Sequence, residues 1–137
     1  MEPETTPTAE ATDAVRAFFE RYARAFEAFD AEFIAAGFVT PCLFVRDGHT
    51  EAAATPEAIA ASVGHLLDLH RAWDVQTIRP DAVAVLEAGP AHVVARVDWT
   101  LGRSRSRLTW AYPTTYTLVP SDGGWRIAAA VTHDAPF

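Results

Sequence analysis

The chain is poor in cysteine and has no motif with the spacing of a structural metal site. Cys42 is its single cysteine, which excludes an internal disulfide. No cysteine or histidine spacing resembles a structural zinc site, so neither a metal nor another cofactor is expected. One unpaired cysteine fits a reducing compartment, and we expect a cytoplasmic protein. Lysine and asparagine are absent while alanine is abundant, which is typical of a GC-rich bacterial genome.

Long apolar runs and an excess of basic charge are also absent. No apolar run approaches the ~20 residues of a membrane span. The acidic start of the chain lacks the basic and apolar regions of a signal peptide, so no membrane partner is expected. The formal net charge of −7 disfavours nucleic acid, which needs a basic face to displace counterions. We interpret the one basic run, 103–107, as a charged strand edge with its arginines on one side, an anion site being the alternative.

The length and composition indicate one folded domain. Half of the 137 residues are apolar, which is ordinary for a globular chain. Residues 1–11 lack an apolar period and are predicted to be a disordered tail, so the domain covers 12–137. A first helix is then indicated by apolar residues that recur on one helical face, namely Val15, Phe18, Phe19, Tyr22, Phe26 and Phe29.

Two further helices are indicated by their end signals. A short helix is predicted to end at Gly37, in a left-handed cap conformation. A third begins at Thr55, a good N-cap, followed by Pro56 at the first helical position. Its predicted buried stripe consists of Ile59, Val63, Leu66, Leu67 and His70.

The remaining segments are predicted to be strands. Residues 42–46 and 49–53 flank Asp47-Gly48, a hairpin-turn signal. Four long strands follow, over 75–86 with a break at Pro80, 91–101, 105–119 and 125–132, and suggest an antiparallel meander. Pro113 cannot donate to a ladder, so a bulge or bend is expected there. Helices and strands in separate runs define an α+β domain.

This element order and several short segments resemble the nuclear transport factor 2-like (NTF2-like) superfamily. The segments are Arg21-Tyr22, 44–48, 123–128 and 132–134, the 123–128 stretch reading Gly-Gly-Trp-Arg-Ile-Ala. The superfamily includes SnoaL-like polyketide cyclases and ketosteroid isomerases. The resemblance implies a cone-shaped, cystatin-like α+β fold, with three N-terminal helices packed on a strongly curved, mixed but mostly antiparallel sheet. It also implies an apolar cavity and a homodimer through the outer sheet face.

The comparison with ketosteroid isomerases suggests two catalytic positions. Tyr22 falls at their helix tyrosine, and Asp47 reaches their aspartate with a one-residue gap. The protonated aspartate of those enzymes has no counterpart, since 114–116 reads Thr-Thr-Tyr. Proton transfer beside a carbonyl needs a base and an oxyanion donor, roles open to Asp47 and Tyr22, although a simple turn residue and a core aromatic explain them as well.

Strand parity and the helical face supply the remaining candidates. His133 shares parity with Trp125 and Ile127, which predicts an inward-facing histidine at the end of the last strand. The candidate ligand-binding residues are the aromatics predicted to face the cavity: Phe18, Phe26, Trp99, Trp110, Tyr112 and Tyr116.

Two functions therefore remain open. The first is a SnoaL-like domain that binds a small hydrophobic molecule in an internal pocket and transfers protons, as an isomerase, cyclase or lyase does. The second is a non-catalytic ligand-binding or dimeric accessory domain on the same fold. Two or more titratable side chains that meet in the cavity would favour the enzyme, and a cavity without convergent polar groups would favour the accessory domain.

Overall fold

The computed structural model describes residues 9–122 and 124–135. The predicted α+β class is confirmed, although the third helix lies between two strands rather than before all of them. Over the described ranges the elements follow in the order α1 (Ala9–Glu27), α2 (Ala31–Ala36), β1 (Phe38–Arg46), β2 (His49–Ala53), α3 (Pro56–Ala72), β3 (Val75–Ala88), β4 (Val93–Arg103), β5 (Thr109–Ser121) and β6 (Gly124–Thr132).

The predicted capping signals locate the start of α3 and the end of α2. The predicted start of α3 is confirmed, because Thr55 Oγ1 accepts a hydrogen bond from the Ala58 N–H at 3.1 Å. α2 ends before Gly37 as predicted, but the expected left-handed conformation is wrong, since Gly37 has φ −79°. α1 begins at Ala9, so residues 9–11 of the expected tail are helical, while residues 1–8 lie outside the described part of the chain.

The six strands form one mixed sheet in the order β2-β1-β6-β5-β4-β3. Only β1 and β6 are parallel among the five neighbouring pairs. The predicted hairpin between β1 and β2 is confirmed, since Arg46 pairs with His49 across Asp47 and Gly48. Both turn residues have positive φ, 50° and 80°, as a two-residue type I′ turn requires. The hairpin carries Arg46 and Asp47 to the end of β1.

Bulges replace the break predicted in β3 and shift the register of β6. β3 runs on through Pro80, and the register shift between Pro80 and Ala82 leaves Asp81 as the extra residue. In β6 the partners of Thr117 and Leu118 are Ala129 and Ile127, so one residue of β6 is left over between them. Side chains of β6 after that bulge therefore face the side of the sheet opposite to the one that simple alternation along the strand predicts.

Of the bulge or bend predicted at Pro113, the bulge is wrong. Pro113 pairs with Asp98 in a continuous β4–β5 register. Its carbonyl oxygen accepts from the His133 N–H at 3.1 Å, just past the end of β6. The nitrogen and the carbonyl group of a residue in an antiparallel strand point to the same side. The N–H that Pro113 lacks would therefore face β6, at the point where the β5–β6 ladder ends.

The basic run is a turn, not the predicted strand edge. Arg103 ends β4, and Arg105 has φ 59° before β5 begins at Thr109. Two hydrogen bonds tie this turn to the end of α3: Arg103 Nε donates to the Trp73 carbonyl at 2.9 Å, and the Ser104 N–H donates to the Asp74 carbonyl at 3.1 Å. The three arginines therefore do not share one strand face.

The last turn of α1 covers the sheet edge formed by β3. Glu27 Oε2 accepts from the Ile78 N–H at 2.7 Å, and Arg24 Nη2 donates to the Ile78 carbonyl at 2.5 Å. The two side chains also pair with each other at 3.2 Å. Both backbone groups of an edge residue are thus satisfied by the helix, which fixes α1 over the sheet. Over the part of the chain that the structure describes, every helix is too short or too polar to cross a membrane.

Candidate functional site

A cavity of about 660 Å³ lies between the helices and the inner face of the sheet. This volume falls within the range of roughly 300–1,000 Å³ that is usual for small-molecule sites. Every element except α2 contributes to its lining, β2 through its exposed start. Its lining includes Tyr22, Phe26, Phe38, Arg46, Asp47, His49, Glu51, His65, His70, Ile78, Trp99, Tyr112, Thr114, Tyr116 and Thr132.

Aromatic rings form the inner wall. The ring of Tyr22 lies 4.9 Å from Phe26, 6.2 Å from Phe38 and 6.0 Å from Trp99, measured between centroids. Tyr116 lies 6.4 Å from Tyr22 on the sheet side. Offset and edge-to-face arrangements of this kind are favourable beyond the area they bury. The wall is therefore apolar, with hydroxyl groups set into it.

The Tyr116 hydroxyl is hydrogen-bonded within the wall. Trp99 Nε1 donates to it at 3.0 Å, and the Tyr22 ring lies 6.4 Å from the Tyr116 ring between centroids. Burial raises the pKa of Tyr22 and of Tyr116 well above the usual value. The neighbouring Tyr116 raises the pKa of Tyr22 further, and the hydrogen bond from Trp99 opposes the rise in the pKa of Tyr116. Both phenols stay protonated at neutral pH.

Tyr112 lies on the same face of β5 as Thr114 and Tyr116. Burial raises the pKa of Tyr112 to about 12, and the positive charge of Arg46 opposes that rise. Among residues 9–122 and 124–135, no hydrogen bond to the Tyr112 hydroxyl is found. Its proton is available to a bound molecule.

His70 is a functional candidate that sequence reasoning placed only in a buried stripe. It is 3% exposed, lines the cavity from the end of α3, and lies 5.4 Å from the Phe26 ring. Burial lowers the pKa of His70 to about 4, so the imidazole is neutral at pH 7. The helical period predicted its burial, but that period cannot tell packed core from cavity wall.

Charged groups lie at the cavity mouth. Asp47, His49, Glu51 and His65 line the cavity and are exposed, while Arg46 beside them is half-buried. Asp47 is on the tight turn rather than inside. A carboxylate in this position is well solvated, and it acts less strongly on a bound molecule than a buried group would.

Six of the nine predicted site residues line this cavity: Tyr22, Phe26, Asp47, Trp99, Tyr112 and Tyr116. Three do not. His133 is exposed and lies outside the lining. The bulge in β6 explains the error, since it reverses parity after Ile127 and turns Ala130 and Thr132 inward instead.

Phe18 and Trp110 belong to the packing around the cavity. Phe18 packs edge-on against Phe19 at 5.0 Å and fills the core beneath the wall. Trp110 shares a face with Tyr112 but lies at the far end of β5, where it packs at 4.9 Å against Trp73. The Arg103 guanidinium lies 5.4 Å from the Trp110 ring centroid. Side-chain parity placed Trp110 correctly on the face that it shares with Tyr112. It could not show that Trp110 lies at the end of β5 away from the cavity.

The described residues contain no cluster of three histidine, cysteine or carboxylate side chains suited to a metal ion. The chemistry available in the cavity is that of protonated phenols, a neutral imidazole and a mouth of mixed charge. Such groups donate and accept hydrogen bonds and transfer protons.

A mixed sheet that encloses an apolar cavity under helices places the chain among the NTF2-like, cystatin-like folds. The family model described as NTF2-like protein (DUF6841) matches residues 10–135, and the chain belongs to that family. The cone-shaped fold expected from the sequence is thereby confirmed. No curated protein matches the chain.

Solved structures share this fold at low identity. Aln2 from a Streptomyces species is 23% identical, with 93% of this chain and 92% of that chain covered and a TM-score of 0.74. A Nostoc punctiforme protein of unknown function is 12% identical, with 94% of each chain covered and a TM-score of 0.76. A Catenulispora acidiphila protein in complex with S-DNPA is 21% identical, with 92% and 94% covered and a TM-score of 0.71.

Proposed function

We propose that this protein binds a small, largely apolar molecule in the cavity and catalyses proton transfer on it. The observation that carries the proposal is the 660 Å³ cavity, whose aromatic wall contains the protonated hydroxyls of Tyr112 and Tyr116. An apolar pocket with a few placed polar groups is the usual form of a small-molecule site. The complex of the Catenulispora protein with S-DNPA is consistent with a ligand in this fold.

The tyrosines would stabilise an oxygen on which negative charge develops. Tyr112 has the available proton, and Tyr116 donates more strongly because it accepts from Trp99. Tyr22 packs beside Tyr116 in the wall and acts as a positioning residue. Preorganised donors of this kind lower the barrier to enolisation. Asp47 at the mouth is the predicted base.

Several titratable side chains therefore meet in one cavity, and this favours an enzyme. One observation favours the alternative of a non-catalytic binding domain: Asp47 is exposed on the β1–β2 turn, and no carboxylate of the described residues is buried in the lining. The experiment below separates the two functions because it measures binding and proton transfer on the same compound.

The probe is 1-tetralone, an apolar ketone with exchangeable protons beside its carbonyl. We expect saturable quenching of tryptophan fluorescence, since Trp99 is in the wall, and catalysed exchange of those protons for deuterium in D2O by NMR. Tyr112→Phe should slow the exchange at least ~10-fold, since one oxyanion donor is lost. His133→Ala, outside the cavity, is the matched control and should leave the rate unchanged. Binding without exchange would establish the accessory function, and absence of both would refute the proposal.

A homodimer remains a prediction. The outer sheet face carries Leu43 of β1, which is 40% exposed, and the half-buried Val94 of β4. A monomeric mass by light scattering at micromolar concentration would contradict it.

A further inference from the structure

One permanent positive charge lines the cavity. Among the described residues of the lining, Arg46 is the only arginine, and the chain contains no lysine. Arg46 is the last residue of β1 and is half-buried, whereas the carboxylates of Asp47 and Glu51 at the mouth are exposed. Partly buried charges are screened much less than exposed ones. Of these three charged groups, Arg46 therefore acts most strongly on a bound molecule.

The strand register places Arg46 on the inner face of the sheet, in one row with two hydroxyl groups. Arg46 pairs with Thr132 of β6, and Thr132 pairs with Thr114 of β5. Paired residues of neighbouring strands lie about 5 Å apart and point to the same face. In agreement, all three residues line the cavity, and the Oγ1 atoms of Thr114 and Thr132 share a hydrogen bond at 3.3 Å. The row crosses three strands, from β1 to β5.

Tyr112 lies beside this row. It is two residues from Thr114 on β5, which puts both side chains on the same face. The positive charge of Arg46 opposes the rise that burial causes in the pKa of Tyr112, so the guanidinium lies near the phenol. Tyr112 is the donor assigned above to the oxygen on which negative charge develops. A group that binds Arg46 is therefore attached close to the carbonyl that carries this oxygen.

The chemistry of Arg46 favours a carboxylate as that group. A guanidinium has five N–H donors in a planar fork that matches the two oxygens of a carboxylate, and it can bind one while it keeps other contacts. A phosphate also fits such a fork, but Asp47 and Glu51 would repel its second negative charge, and only one arginine of the described residues lines the cavity to offset it. A single negative charge is therefore the better match.

We propose that Arg46 binds a carboxylate of the ligand, and that the cavity takes apolar keto acids, with the carboxylate at Arg46 and the carbonyl oxygen at Tyr112. The aromatic wall around Tyr22 packs against the apolar body of such a molecule. This inference rests on the proposed function and specifies the class of molecule that the same site selects.

The test compares 1-tetralone-2-acetic acid with its primary amide, which has nearly the same size but no charge. Calorimetric titration of the wild-type protein at pH 7 should give roughly tenfold tighter binding of the acid, the size of one charge-assisted hydrogen bond. Arg46→Gln should reduce that ratio to near one, and Arg46→Lys should keep part of it because the ammonium group keeps the charge without the fork. Arg16→Gln, exposed on α1 and outside the lining, makes the same change in net charge and should keep the full ratio.

A second measurement uses the unmodified protein. The ¹⁵N resonance of Arg46 Nε should shift when the acid binds and move much less with the amide. Equal affinities of the wild-type protein for both compounds, or an unchanged ratio in Arg46→Gln, would overturn the role of Arg46. Binding of uncharged 1-tetralone is measured separately, so such a result leaves the proposed function standing. If neither 1-tetralone nor either derivative binds to the wild-type protein, the proposed function fails and this inference fails with it.

Discussion

Replacing Tyr116 with phenylalanine tests the hydrogen bond at the centre of the cavity wall. The substitution removes one oxygen and keeps the ring, so the packing against Phe19 at 4.6 Å is preserved. It removes the acceptor of Trp99 Nε1, which donates to that oxygen at 3.0 Å. Trp99 is 4% exposed, so water has little access to its indole N–H.

The magnitude follows from the group left without a partner. A buried donor that loses its acceptor costs about 1–3 kcal/mol, and we expect Tyr116→Phe to lower the free energy of unfolding by about 2 kcal/mol. With a urea m-value of about 2 kcal/mol/M, the midpoint should fall by about 1 M. Urea denaturation followed by circular dichroism at 222 nm measures both quantities.

Tyr112→Phe is the matched comparison on the same face of β5. Its hydroxyl has no hydrogen bond within the described residues, so the loss should stay below about 0.5 kcal/mol, although ligand binding is weakened. The reasoning would be refuted if both variants lost the same free energy, or if Tyr116→Phe lost less than about 0.5 kcal/mol. Such results would mean that the Tyr116 oxygen does not hold its neighbours.

Three further outcomes concern stability. Glu27→Ala should lower the free energy of unfolding by about 2 kcal/mol in urea denaturation, because the Ile78 N–H loses a carboxylate acceptor at 2.7 Å, whereas Asp68→Ala, which breaks an exposed ion pair, should cost less than about 1 kcal/mol. Thr55→Ala should lower the free energy of unfolding by about 1 kcal/mol because the N-cap of α3 is lost, and Thr55→Ser, which keeps the cap, should retain the wild-type stability. Thermal unfolding measures both. Burial lowers the pKa of His70 to about 4, so the unfolded chain binds more protons than the folded one between pH ~6.5 and that value. Stability should fall as the pH drops through this window, by on the order of 3 kcal/mol, and His70→Leu should flatten that dependence in urea midpoints at pH 7 and 4.5.

The sequence predicted those features whose signals are local. Thr55-Pro56 marks the start of α3 because a side-chain cap and a fixed proline φ act within one turn. Asp47-Gly48 marks the hairpin because both residues tolerate positive φ. Apolar and polar residues alternate along β4, and Val93, Ala95, Val97, Trp99 and Leu101 are all buried, as a period of two predicts. Of the six candidate residues that line the cavity, Tyr22 and Asp47 came from the family resemblance, and the other four are aromatics predicted to face the cavity.

The errors arose where a distant strand decides the outcome. Parity assigned His133 to the inner face, but the β6 bulge that reverses it is visible only in the register against Thr117 and Leu118 of β5. The turn at Arg105 is fixed by bonds from the end of β4 to Trp73 and Asp74, about thirty residues earlier in the chain. His70 was predicted to be buried, but which buried residues border a void depends on how the sheet curves. Periodicity contains no information on that curvature.

The aromatic wall explains how a large cavity can exist beside a well-packed core. A void lined by flexible side chains would tend to close, since its lining forgoes dispersion contacts. Here rigid rings with few rotatable bonds interlock, with Tyr22 within 6.4 Å of Phe26, Phe38, Trp99 and Tyr116 between centroids. The bond at the Tyr116 oxygen fixes the orientation of the Trp99 and Tyr116 rings within that wall. The same oxygen that stabilises the fold therefore helps to keep the cavity open.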